Sequence, residues 1–299
     1  MSPEGLRARS LVLRAVRSWF DRHGYLEVPT PVLVPSPALE ENLFAVQAAD
    51  GWLRTSPEFA LKKVLAAGLP RIYEVAPCFR EREAGPWHGR EFLMLEWYRA
   101  GAELDDLMDD VEALVAAARE ALGRPAPPAW RRTTVSALFR EVLGLELSTA
   151  STEALAPGES SWDHAFFRRW VEDIEPTLTD AVIVSDWPAS QAALARVRTD
   201  HAWPVACRFE AYIDGVELAN AFLELTDPVE QRRRFEEANR ARRAAGEEAH
   251  PVDEALIEAV GRMPRTAGIA MGLDRLVAVA AGWSGIHAGR VPMTPPLPS

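Results

Sequence analysis

Asp214-Gly215 lies between two β-forming runs, Arg208–Ile213 and the stretch from Val216 onward, and is the strongest hairpin signal in the chain. A two-residue Asp-Gly connection favours the turn whose twist matches a pair of antiparallel strands. A second pair repeats the theme. Arg71–Arg80 (RIYEVAPCFR) and Glu91–Arg99 (EFLMLEWYR) are strand-like runs joined by a charged loop containing Gly85-Pro86, which predicts a long antiparallel hairpin. Hairpins therefore dominate the strands, and the expected fold class is α+β, a mostly antiparallel sheet flanked by helices. Parity along the second pair places Glu74 and Arg80 on one face of the first run, and Phe92, Glu96 and Tyr98 on one face of the other. A sheet face carrying Arg, Glu, Tyr and Phe is not an ordinary core face.

The helices are read from their ends. Ser2-Pro3-Glu4 is an N-cap with proline at the first helical position, Val12, Val16, Trp19 and Phe20 fall on one face, and Gly24 is the stop. Tyr25–Val34 is extended but broken by Pro29 and Pro31, which suits an edge or interface strand. Trp52–Thr55 reads as a short strand, Glu58–Ala67 as a helix, and Leu104–Leu122 as an amphipathic helix closed by Gly123. Arg124–Pro128 (RPAPP) is a stiff internal connector, and the region beyond it to about Leu178 shows no strand set of its own. Ala181–Ser185 returns to strand and Gln191–Val197 to a short helix. Asp227-Pro228-Val229-Glu230 opens a helix running to about Gly246, and another lies near Asp253–Val260. Ala267–Met271 is a small-residue strand that Gly272-Leu273-Asp274-Arg275 turns into the helix Leu276–Ala281, while the tail from Val291 should be loose.

Composition narrows the function. No apolar run approaches the roughly 20 residues that span a bilayer, and no signal-peptide core follows the N-terminus, so a soluble cytoplasmic protein without a membrane partner is expected. Cys78 and Cys207 make no metal pattern and should stay reduced in strands. A net charge of −11 argues against a broad grip on nucleic-acid phosphates without excluding a local basic site. At 299 residues the chain can bury a large core without staples.

Three stretches carry chemistry. The hairpin Phe79–Tyr98 is either a solvated ribbon or a ligand site, in which Arg80 faces a phosphate or carboxylate, Glu83 accepts from an exocyclic base amine and Phe92 offers a stacking surface. In Glu217-Leu218-Ala219-Asn220-Ala221-Phe222-Leu223-Glu224, two carboxylates seven residues apart lie on opposite faces of a straight strand. They meet only if the strand bends near Ala219–Ala221. Converged, they suit Mg²⁺ carrying nucleotide phosphates; otherwise they are solvent-exposed acids. In the last stretch, Gly268–Arg275, glycine before a helix permits backbone approach to a ligand, and Arg275 near the helix start reaches a triphosphate, unless the turn is only a tight connection.

In this order the stretches resemble the three signature motifs of class II aminoacyl-tRNA synthetases. The first helix and the strand ending at Pro31 correspond to motif 1, FRERE…HGREFLMLEWYR to motif 2, and GIAMGLDRL to motif 3. RTSPEFALKKVL, EFLMLEWYR and GVELANAFLELTD are similar to the lysyl branch. MLEWYR, PASQAALA, ELANAFLELTD and Ala270 look like the lysyl-tRNA-synthetase paralogue family EpmA (PoxA, GenX), ligases for elongation factor P. The resemblance runs from about residue 6 to residue 282. It implies a single class II synthetase-like catalytic domain over residues 1–299 without an anticodon-binding domain. It also implies ATP and Mg²⁺ as cofactors, (R)-β-lysine or lysine as the amino acid, elongation factor P rather than tRNA as acceptor, and a homodimer built on motif 1.

By this resemblance Arg80 holds the α-phosphate and the substrate carboxylate, Phe92 stacks on adenine, and Arg275 grips the γ-phosphate. Glu81, Arg82 and Glu83 belong to the ATP set, Glu217 and Glu224 bind Mg²⁺ and ATP, and Leu218 and Gly272 supply backbone contacts. Ser56, Pro57, Glu58 and Tyr98 line the amino-acid pocket, where Glu58, Glu96 and Glu224 meet two ammonium groups and Ala270 adds a methyl that disfavours an α-amine and tolerates a β-amine. The implied reaction is in-line attack of the substrate carboxylate on the α-phosphorus, then of the acceptor amine on the mixed anhydride, with no side-chain nucleophile. The sequence departs from the family at Arg82, where motif 2 has Glu, and at Gly89-Arg90, where it has Asn-Pro. It departs again at Ala221, which replaces a glycine, and in the proline-rich C-terminus. Other readings are a ligase for another amino acid or carrier, and a non-catalytic paralogue that binds nucleotide or amino acid.

Overall fold

The computed structural model describes residues 2–39, 43–127, 129–201 and 203–291. Helix α1 (Pro3–Arg22) begins where Ser2 Oγ accepts the Gly5 amide at 3.0 Å and ends at Gly24, whose φ is +71°. The prolines cut the extended run after it into β1 (Leu26–Glu27) and β2 (Leu33–Val34). The first lies at an edge of the main sheet, and the second joins β3 (Gln47–Ala48) and β4 (Gly51–Leu53) in a small sheet. Next come α2 (Glu58–Ala66), the expected hairpin of β5 (Arg71–Phe79) and β6 (Glu91–Ala100), and α3 (Leu104–Glu120), opened by a reciprocal capping box between Glu103 and Asp106.

Beyond α3 the structure corrects the sequence reading. A strand, β7 (Arg131–Thr134), precedes α4 (Val135–Leu143), α5 (Thr152–Leu155), α6 (Trp162–Arg169) and a single π turn at Trp170–Ile174. Arg-Arg-Thr-Thr carries no apolar alternation because β7 sits at the sheet edge, paired in parallel with β8 (Val182–Pro188) through its backbone rather than by burial. Phe139 of this segment stacks on Phe166, and Phe166 and Trp170 pack on Trp187, in a satellite core.

The helix expected at Gln191–Val197 does not form. Ala189–Gln191 is one 3₁₀ turn, and the chain continues into β9 (Val197–Arg198) beside β10 (Val205–Ile213). Helical bonding is outcompeted there: Arg208 takes the Gln191 carbonyl at 2.7 Å, and Arg196 N donates to Leu223 O at 2.8 Å.

The Asp214-Gly215 turn takes φ of +52° and +74°, as its connection requires, and leads into β11 (Val216–Leu223). Asp227 and Asp253 cap α7 (Pro228–Ala244) and α8 (Glu254–Val260). The chain then forms β12 (Thr266–Gly272) and α9 (Leu273–Ala281). Residues 292–299 of the expected loose tail, and Pro128 of the connector, lie outside the described residues.

The main sheet runs β1-β5-β6-β12-β11-β10-β8-β7 with β9 beside β10; its β1–β5 and β7–β8 pairs are parallel and the others antiparallel. One face buries Leu95, Trp97, Phe209, Ala219, Ile269 and Met271 in the core shared with α1, α3 and α9. The protein is thus an α+β fold, and the opposite face of the same strands is left for chemistry.

Candidate active site

Register aligns the site. One row across the sheet runs Glu74, Glu96, Ala270, Asn220, Glu210, and the next runs Ile72, Tyr98, Gly268, Phe222, Arg208. Glu217 reaches this face through a β-bulge. Ala211 pairs with Ala219 but Tyr212 with Glu217, so Leu218 is the extra residue. An inserted residue changes the parity of everything on one side of it. The carboxylates of Glu217 and Glu224, odd in sequence separation, therefore end up on one face. The bend expected near Ala219–Ala221 sits at Leu218 instead, and Ala221 pairs regularly with Phe209 and Ile269. Leu218 is buried in the main core.

A cavity of ≈ 1440 Å³ lies over these rows. At one end Ser56 and Tyr98 hydroxyls donate to the two oxygens of Glu96, and Ser56 Oγ accepts the Glu58 amide at 3.0 Å. Pro57 is buried at the start of α2, where its carbonyl accepts the Leu61 amide at 3.0 Å. Glu96 is only 1% exposed; burial, reinforced by the charge of Glu58, pushes its carboxyl up to about 8. Lys62 Nζ bridges Glu58 Oε1 at 2.6 Å and Glu224 Oε2 at 2.7 Å. Its burial works to lower the ammonium pKa, but the two carboxylates outweigh that and raise it. Burial pushes Glu224 upward against the pull of Lys62. Gly268 is glycine because its neighbours leave no room: a Cβ there would lie 2.2 Å from Glu224 Oε1 and 2.4 Å from Tyr98 Cε1. Ala270, with its methyl, lies in register between Glu96 and Asn220.

At the other end, Arg80 follows β5 with its guanidinium carbon 5.1 Å from the Phe92 ring centre and Nη1 3.6 Å from Glu83 Oε1. Its Nε is buried without a hydrogen-bond partner, which fits an incoming anion. Arg275 Nη1 donates to Glu217 O at 2.8 Å and lies 3.5 Å from Glu217 Oε2. Its Nε donates to Trp87 O at 3.2 Å, and Nη2 lies 2.6 Å from His88 Nε2. Burial and the Arg275 charge hold His88 below its ordinary value. Leu218 and Gly272 line the cavity as well.

Glu81 and Arg82 do not join this group. Glu81 is exposed and contributes its amide to Phe44 O, while Arg82 lies on the Phe44 ring and pairs with Glu247 Oε1 at 2.9 Å. Glu217 and Glu224 share the cavity but differ in setting: Glu217 is 38% exposed beside Arg275, whereas Glu224 is enclosed with Lys62. Burial pushes Glu210 up to about 7; Arg208 opposes this and the Glu217 charge adds to it. Among the described residues no group of three His, Cys, Asp or Glu is set to hold a metal ion by itself. Mg²⁺ needs no such cage, because it keeps waters and phosphate oxygens and takes one or two carboxylates. Glu217 suits that part.

Sequence reasoning missed Lys62, Arg208 and Glu210. Lys62 carries a signal, being four residues after Glu58 on a helix, where opposite charges meet. Arg208 and Glu210 are two charges of equal parity inside an apolar strand, VACRFEAYI.

A family model described as tRNA synthetases class II (D, K and N) matches residues 2–289. The chain is 37% identical to a protein of Photorhabdus laumondii, over 93% of this chain and 91% of that protein, which is named Elongation factor P--(R)-beta-lysine ligase. Proteins with the same name from Pseudoalteromonas translucida and Vibrio parahaemolyticus are 38% and 36% identical, each over 94% of this chain and over 92% and 93% of their own lengths.

Proposed function

The chain belongs to the class II tRNA synthetases of the D, K and N group, and from that premise we propose that it is an elongation factor P–(R)-β-lysine ligase. It is an ATP-dependent ligase that activates (R)-β-lysine, or lysine, as an adenylate and passes it to a lysine side chain of elongation factor P. The observation that carries this reading is a single cavity with carboxylates at one end and two arginines beside an aromatic ring at the other. A lysine-like dication needs the first end, and a nucleotide triphosphate the second.

Glu58, Glu96 and Glu224 receive the ammonium groups, and Ser56, Pro57, Tyr98 and Ala270 shape the pocket around them. Arg80 draws the substrate carboxylate and the α-phosphate together, and Arg275 neutralises the far end of the triphosphate. Phe92 stacks on adenine, with Glu83 accepting from its amine. The carboxylate attacks the α-phosphorus and pyrophosphate leaves; the acceptor amine then attacks the mixed anhydride and releases AMP. Glu217, with Glu210 and Glu224 on the same face, would hold Mg²⁺, which when bound would supply charge neutralisation on the phosphates. Neutralisation of the negative charge that builds on the leaving pyrophosphate would thus be shared between the cation and Arg275, and no residue serves as a nucleophile.

The protein acts in the cytoplasm as one catalytic domain. No helix among the described residues is long and apolar enough to cross a membrane. A homodimer forms through motif 1, where Leu11, Leu26 and Leu33 are exposed apolar residues. A monomer in light scattering at micromolar concentration would count against that assembly. The acceptor is tested by incubating the protein with ATP, labelled (R)-β-lysine and either purified elongation factor P or tRNA. Label on the protein acceptor alone is expected, and label on tRNA alone overturns the reading.

A further inference from the structure

The short segment after α9 holds the loop between β5 and β6. Ile286 N donates to Pro86 O at 2.9 Å, His287 Nε2 donates to Gly85 O at 3.0 Å, and Arg290 Nη2 donates to Glu91 O. Arg290 Nη1 is also 3.9 Å from Asp274 Oδ2. The same Asp274 oxygen accepts the Leu93 amide at 2.9 Å, and its other oxygen pairs with Arg9 of α1. Asp274 is 4% exposed, so its carboxylate is a fixed anchor rather than a surface charge.

Phe92 stands between Glu91 and Leu93. Arg290 therefore holds the peptide group before the ring and Asp274 the one after it, while the two hold each other. Gly89 completes the arrangement: a Cβ there would lie 2.8 Å from Arg290 Nη1. The glycine leaves the space that the guanidinium fills, so Gly89 and Arg290 are a matched pair.

We infer that Arg290, together with Asp274, is a positioning residue that fixes Phe92 as the adenine platform, and that Gly89 is small in order to admit Arg290. The inference rests on the reading of Phe92 given above. Neither residue touches the reacting atoms. Their effect is on where the ring lies before nucleotide arrives, a pre-organisation whose loss weakens binding of ATP and leaves the amino-acid end, some distance across the sheet, unaltered.

Titration calorimetry of the full-length protein with ATP alone and with (R)-β-lysine alone tests it. Arg290→Ala should weaken ATP binding about tenfold, part of the ~10²-fold that a 1 Å misplacement can cost, with amino-acid affinity unchanged. Arg290→Lys, which restores one donor but not the fork, should recover part of the loss. Gly89→Ala should weaken ATP binding less, because a flexible guanidinium can move aside, and should add nothing in the Arg290→Ala background. Phe92→Ala should weaken ATP binding at least as much as Arg290→Ala. If Phe92→Ala weakens it and Arg290→Ala does not, the adenine reading stands and this inference falls. If Phe92→Ala has no effect on ATP, the adenine reading itself fails and takes the inference with it. Equal losses for ATP and amino acid in Arg290→Ala, or Gly89 and Arg290 effects that simply multiply, would reduce Arg290 to a structural strut.

Discussion

The two ends of the cavity are built differently. Carboxylates at the amino-acid end stand on paired strands and on α2, are enclosed, and have their partners in place: Lys62 between Glu58 and Glu224, Ser56 and Tyr98 on Glu96. The arginines at the nucleotide end are partly exposed: Arg275 is held by the carbonyls of Trp87 and Glu217, and Arg80 lies near Glu83 and over the Phe92 ring with its Nε left unpaired. Sheet register organises the first end before substrate arrives, whereas the second is completed by its ligand. Substitutions at the first end should therefore be felt in stability, and at the second in chemistry.

The sharpest way to break this contrast is Lys62→Ala. It leaves two carboxylates without their cation in a buried site, and removing one partner of a buried pair costs about 3–5 kcal/mol. Urea unfolding measures it, and a loss below about 1 kcal/mol would mean that the pocket relaxes or floods instead. Arg80→Ala should do the reverse, lowering adenylate formation about 10²-fold through lost transition-state neutralisation while the unfolding midpoint barely moves. A comparable drop in stability would erase the distinction between the ends.

Glu96 sharpens the comparison through pH. Its folded pKa is raised to about 8 from the ordinary carboxylate range. The stability it contributes is complete at acid pH, below its unfolded pKa, and is lost as pH rises through the folded value of about 8. Glu96→Gln should therefore be more stable than the parent above that pH and equal to it in acid, as thermal melts at several pH values would register. Binding has the opposite sign. A cationic substrate favours the ionised carboxylate, so amino-acid affinity should rise with pH up to about 8 and level off beyond, with a flattened profile in the variant. Affinity that falls over that range would remove Glu96 from the ammonium site.

The smallest effect is expected at Ala270. Replacing it with glycine removes one methyl between Glu96 and Asn220. It should shift the ratio of L-lysine to (R)-β-lysine activation towards L-lysine by about tenfold, the usual scale for one methyl in a pocket. A ratio that does not move would show that the methyl does not face the amine.

How much of this was legible in the sequence follows from the range of the forces involved. Caps and turns are local, so Ser2, Gly24, Asp214-Gly215 and Asp227 could be read directly, and with them both hairpins. Face-sharing of Glu74, Phe92, Glu96 and Tyr98 followed from parity because β5 and β6 pair without interruption. What escaped depends on a partner. The bulge at Leu218 is a mismatch between two strands, and nothing in β11 alone places it at that residue rather than near Ala221. Strand β7 is held by backbone pairing at an edge, and the residues after Gln191 are claimed by Arg208 and by β11. Lys62 looked like one more helical lysine until Glu224, far along the chain, was brought against it.

Amino-acid-dependent exchange of pyrophosphate into ATP by the purified protein tests most directly the claim that the two ends serve one reaction. The account predicts exchange that requires Mg²⁺ and is faster with (R)-β-lysine than with L-lysine. ATP binding accompanied by no exchange with any amino acid would contradict it.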